Sequence, residues 1–167
     1  MLEENGHGLI YAPAVNFADG TLDAVREMLV HDNTILGLSD AGAHYGLICD
    51  ATAGTYMLSH WARDARERIP LPIVVKALTQ KGAALMGLTD RGRIATGLRA
   101  DINIIDFDAV RLHHPRVTHD LPAGGKRLTQ DADGFVMTIV RGAPTYRNGE
   151  FTGALPGRLL RSGRTVN

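Results

Sequence analysis

The sequence predicts a chain that opens as α/β and closes as β: a βαβα segment followed by a small β domain. Three observations predict it. Two apolar runs, Leu9-Ile10-Tyr11 and Thr34 to Leu38, flank an amphipathic stretch, the pattern of parallel strands joined by a crossover helix. Helical spacing then continues to about Gly87, after which short apolar runs are punctuated by glycine. Near the end Asn148-Gly149 lies between β-formers, the strongest short-range signal for a type I′ hairpin. The domain boundary is therefore expected at Leu88, giving units of residues 1–87 and 88–167.

A chain of 167 residues supports one ordinary core or two small ones. Its 18 acidic and 18 basic side chains balance, so no long-range field recruits nucleic acid or an anionic membrane. Small molecules or proteins are the expected partners. Cys49 is the only cysteine, which excludes an intramolecular disulfide and a cysteine-rich zinc module. The opening Met1-Leu2-Glu3-Glu4 lacks the basic-then-apolar order of a signal peptide, and no apolar run reaches membrane-spanning length. A cytoplasmic protein is expected.

Gly8 to Ala12, ended by Pro13, reads as a buried strand. Thr21 offers an N-cap, and Leu22, Val25, Met28 and Leu29 recur at helical spacing, so a helix is expected from Thr21 to about Val30. Thr34 to Leu38 is the second strand. A helix follows from near Thr52 to Arg68, with Met57, Trp61 and Ala65 on one stripe. Pro70 and Pro72 punctuate the chain. Ile73 to Gln80 and Lys81 to Met86 read as one helix or two, closed by Gly87. Beyond it, short strands are expected at Arg93 to Ala95, Asp101 to Asp106, Phe135 to Val140, Ala143 to Arg147 and Glu150 to Thr152. Residues 108–134 show little periodicity and read as a long connection, and the basic tail from Pro156 is expected to fray.

Asp40 leaves the second apolar run as a carboxylate. In parallel α/β folds that position carries metal ligands and general bases, although an aspartate there also caps the following loop. His44 is either a substrate or metal contact or a surface histidine. His113-His114 with His119-Asp120 resembles a zinc cluster in residue type, but adjacent histidines in an extended segment point to opposite sides. Gly124-Gly125-Lys126-Arg127 lacks the strand-loop-helix setting of a phosphate loop, and Cys49 has no neighbouring base.

The stretch Gly37-Leu38-Ser39-Asp40-Ala41-Gly42-Ala43-His44, with Leu88-Thr89-Asp90-Arg91-Gly92-Arg93-Ile94-Ala95-Thr96-Gly97-Leu98-Arg99-Ala100-Asp101, resembles the C-terminal part of the amidohydrolase superfamily. Asn148-Gly149-Glu150-Phe151-Thr152-Gly153-Ala154-Leu155-Pro156-Gly157-Arg158 narrows the resemblance to the N-acyl-D-amino-acid deacylase branch. It implies the last βαβα portion of a metal-dependent hydrolase (β/α)8 barrel followed by a small β-sandwich-like domain. Leu9 to Tyr11 and Thr34 to Leu38 would be the seventh and eighth barrel strands. Asp40 would contact zinc and act as general acid and base in cleaving an N-acyl amino acid amide, with Ser39 and His44 beside the substrate. Family members carry their further metal ligands upstream of the region matched here, so Asp40 makes an incomplete site and stoichiometric zinc is not expected on this chain.

The expected protein is thus a deacylase fragment that is inactive alone. The alternatives are a non-catalytic self-associating module and a free-standing metalloprotein using Asp40, His44 and the loop histidines. Unpaired strand edges favour a homo-oligomer or association with a missing N-terminal portion.

Overall fold

A computed structural model describes residues 16–37, 39, 44–48 and 50–160. The chain falls into two compact units, Met1–Thr34 and Ile35–Asn167.

The first unit is built on helix α1, Asp23–Val30, whose half-buried side includes Val25 and Leu29 while Met28 is exposed. Thr21 lies just outside the helix: its hydroxyl accepts the Asp23 N–H at 3.4 Å, and Leu22 occupies the N-cap. At the far end the Thr34 hydroxyl folds back toward the carbonyls of Met28 and His31, closing the last turn.

Thr34 to Gly37 form no ladder among the described residues. A parallel strand exists only by exchanging backbone hydrogen bonds with a neighbour. The expected neighbour, Leu9 to Tyr11, and the terminal Leu38 lie outside the described residues.

The second unit carries a helical layer and a set of antiparallel strands. A short turn at Asp50–Thr52 leads into α2, Ala53–Tyr56, which continues as a π-helix over Met57–Asp64. The wider π turn moves the buried stripe to Met57, Leu58, Trp61 and Ala62 and leaves Ala65 half-buried. The helix stops at Asp64, short of the expected Arg68, because Ala65 becomes extended and the chain doubles back until the Ile69 N–H meets the Trp61 carbonyl at 2.8 Å. Helix α3, Leu71–Lys76, passes through a π turn at Ala77–Lys81 into α4, Gly82–Leu85. Gly87, at φ 67°, ends the run in a Schellman motif: its N–H meets the Ala84 carbonyl at 3.1 Å, and the Leu88 N–H meets that of Ala83 at 2.8 Å.

The strands are β1 (Ile102–Ile105), β2 (Arg111–Leu112), β3 (Arg116–Leu121), β4 (Gly125–Thr129), β5 (Ala132–Asp133), β6 (Phe135–Val140), β7 (Ala143–Arg147) and β8 (Glu150–Phe151). They form one four-stranded sheet, ordered β1-β6-β7-β8, and two ribbons, β2-β5 and β3-β4. Asn148 and Gly149 both take positive φ between β7 and β8, as the type I′ turn requires. The long connection expected over 108–134 is instead the two ribbons. Arg93 to Ala95 make no ladder, and Ile94 is left 84% exposed. The helix-to-strand change falls near Leu88, yet both sides of it belong to the second unit.

Ile69, Val74 and Val110 are the most deeply buried large side chains of this unit. Val110 sits against Gly134, where φ is +93° and an added Cβ would come within 2.7 Å of the Val110 Cα. Glycine is required there on both counts. No helix among the described residues is long and apolar enough to cross a membrane.

Candidate functional site

Asp40 lies outside the described residues, so the site is seen only through its flanks. Ser39 is half-buried. His44 is exposed and takes φ 54°, a left-handed conformation that histidine enters more readily than most residues. It opens a tight turn in which its carbonyl accepts the Leu47 N–H at 2.8 Å and the Ile48 N–H at 3.1 Å. The next carbonyl, that of Tyr45, accepts the Leu128 N–H of β4 at 2.6 Å. Ser39 and His44 make no side-chain hydrogen bond to each other or to another described residue.

The histidine-rich segment is engaged in ribbon pairing. His113 Nε2 lies 3.0 Å from Asp133, whose other oxygen meets Arg111 Nε at 2.6 Å. Those two partners, His113 first, hold the Asp133 carboxyl below its ordinary range. Asp120 is clamped by both nitrogens of the Arg127 fork, at 2.7 and 2.6 Å, which lowers its pKa likewise. Gly124 ends the turn of that same hairpin and Gly125 opens β4. Among the described residues no three His, Cys, Asp or Glu side chains come together to hold a metal.

The Asp90 to Asp101 signature has a structural role that its sequence does not reveal. Arg91 meets both oxygens of Asp90, at 2.9 and 3.0 Å, and reaches Asp101 at 3.1 Å. Arg99 completes the network from 3.4 Å to Asp101 and 3.9 Å to Asp90, its Nε buried without hydrogen-bond geometry to any described acceptor. The other Asp101 oxygen accepts the Arg141 N–H at 2.8 Å. This clasp fastens the loop after α4 to the start of β1 and to the β6–β7 turn. Gly92 lets the loop approach the helix, since a Cβ there would meet that of Ala83 at 2.8 Å. A cavity of about 300 Å³ opens between the same loop and α4, bordered by Gln80, Ala84, Thr89 and Arg93. Opposite charges spaced around a glycine turn are the one sequence signal that points to the clasp.

The model of the amidohydrolase family matches residues 8–146. The chain belongs to that family. Membership implies a metal-dependent hydrolase barrel fold; the described residues form a helical run followed by small antiparallel sheets. The chain is 31% identical to the D-aminoacylase of Alcaligenes xylosoxydans xylosoxydans over 142 residues, covering 81% of the chain and 26% of that relative. It is 31% identical to the N-acyl-D-glutamate deacylase of the same organism over 146 residues, 85% of the chain and 27% of the relative. It is also 33% identical to the 5-methylthioadenosine/S-adenosylhomocysteine deaminase of Halobacterium salinarum over 126 residues, 71% and 28% respectively. The amidohydrolase chain thus spans about a quarter of the length of these relatives. No solved structure matches it. The family is generally metal-dependent, but the described side chains do not by themselves fit a metal centre.

Proposed function

We propose that this chain is the C-terminal piece of a cytoplasmic amidohydrolase that cleaves the amide of N-acyl-D-amino acids, and that it is inactive alone. The observation that carries the substrate class is the reach of the similarity: 81% and 85% of the chain for the two D-amino-acid-acting relatives, against 71% for the deaminase. In this reading Asp40 takes a proton from the attacking water and returns it to the leaving amine, with Ser39 and His44 contacting substrate. In this reading a zinc contacted by Asp40, with further ligands outside this chain, would supply activation of the attacking water.

A second reading, a self-associating module without catalysis, is favoured by one observation. Leu47, Leu85, Met86 and Ile94 are 65% to 84% exposed, apolar side chains that a second copy of the chain would cover.

The test is release of the free amino acid from N-acyl-D-amino acids and their L forms, and of ammonia from 5-methylthioadenosine, by the chain alone and after restoration of an upstream barrel portion. The reading expects no turnover by the chain alone and D-selective deacylation by the restored protein. Turnover by the chain alone that Asp40→Asn abolishes would overturn the fragment reading, and deamination by the restored protein would overturn the deacylase.

A further inference from the structure

We propose that the β3–β4 ribbon is a positioning element for His44, acting through the hydrogen bond from the Leu128 N–H to the Tyr45 carbonyl. The proposal rests on reading His44 as a substrate contact.

The turn after His44 is held at two successive carbonyls. That of His44 takes both internal bonds, and that of Tyr45 is left to the ribbon, at 2.6 Å. The side chains of Tyr45 and Leu47 are 51% and 81% exposed and give the turn little packing of its own. His44 meanwhile holds φ 54°, a conformation that persists in a side-chain-bearing residue only where its surroundings enforce it.

The ribbon is equipped to enforce it. Across its two strands the hydroxyls of Thr118 and Thr129 meet at 2.7 Å, and the Arg127 fork clamps Asp120. Two residues beyond Leu128 the end of β4 is tied down, where the Thr52 hydroxyl, in the turn before α2, donates to Gln130 Oε1 at 2.5 Å and Gln130 Nε2 donates to the His113 carbonyl at 2.8 Å. Leu128 faces Val117 in register but gives its N–H outward, to Tyr45. The fixed end of β4, held at Gln130 by Thr52, therefore bears on the residue next to His44. Because a displacement of about 1 Å in a substrate contact can cost on the order of a hundredfold in rate, the ribbon affects function without touching substrate.

Two variants of the full chain test this, with amide exchange as the readout. Leu128→Pro removes the donor at an outward-facing edge position that tolerates proline, and Leu128→Ala keeps it. The proline variant is expected to speed exchange at Leu47 and Ile48 roughly tenfold, the order of one lost backbone hydrogen bond, and to shift the His44 imidazole resonances. The β3–β4 ladder amides stay protected, and the alanine variant changes neither readout. Unchanged exchange in Leu128→Pro, or equal effects of the two variants, would overturn the proposal. So would rapid exchange of the Leu128 amide in the unaltered chain, a measurement that stands even if the proline variant does not fold. None of these outcomes depends on which substrate the restored enzyme takes, so the positioning role of the ribbon and the deacylase reading fail separately.

Discussion

Asp101 accepts the backbone N–H of Arg141 at 2.8 Å, across 40 residues of chain, while its other oxygen pairs with Arg91 at 3.1 Å. One carboxylate thereby joins the β6–β7 turn to the loop after α4. Asp101→Ala is expected to destabilise the fold by about 1–3 kcal/mol, since it leaves the Arg141 N–H without its acceptor and takes one of two carboxylate partners from both Arg91 and Arg99. Asp101→Asn keeps an oxygen that can accept from Arg141 and should cost less. Urea unfolding of the two variants checks the order, and equal losses would mean that only the charge matters.

Acid should loosen the same clasp and the β2–β5 ribbon. Arg91 holds the Asp90 carboxyl below its ordinary value, and His113 with Arg111 do the same for Asp133. A lowered folded pKa means that the unfolded chain takes up protons first as pH falls. The stabilisation is therefore complete above the unfolded carboxylate value near about 4 and is lost as pH drops through the lower folded values. Melting temperatures should fall below about pH 4, and Asp90→Asn should flatten that slope.

Gly134 and Gly142 separate two kinds of glycine requirement. Both take positive φ, but a Cβ at Gly134 would strike Val110 at 2.7 Å, whereas Gly142 has nothing within 4 Å. Gly142→Ala should cost roughly 1 kcal/mol for the left-handed backbone alone. Gly134→Ala should cost several, roughly 2–5 kcal/mol, by adding overpacking around a fully buried valine. Thermal unfolding of the pair measures the difference.

Metal content discriminates among the functional readings. In the fragment reading, purified chain carries well below one zinc per molecule by elemental analysis, because Asp40 without the upstream ligands cannot hold the ion tightly. Stoichiometric zinc that His44→Ala removes would instead support a free-standing metal site.

Much of the β region was legible because its signals are local. Phe135–Val140 and Ala143–Arg147 alternate or run apolar between turns, and Asn148-Gly149 names its own turn type. The ribbons inside residues 108–134 were not legible. Their strands are short and polar, and their pairing depends on Asp120 finding Arg127 and Asp133 finding His113 across the gap. The helix from Asp50 ended early for a similar reason: π widening and the Ile69-to-Trp61 closure depend on packing, not on residue spacing.

The sequence by itself determined the family, the helix-to-strand order and the importance of the stretch around Asp40, because residue identities and short-range periods carry those. Only the tertiary structure decided what the Asp90–Asp101 signature does and which element holds the turn after His44. Both depend on partners distant in sequence: Arg141 for Asp101, and the Leu128 N–H for the Tyr45 carbonyl. A main-chain donor is common to every residue except proline, so no reading of side-chain types announces where it will be used.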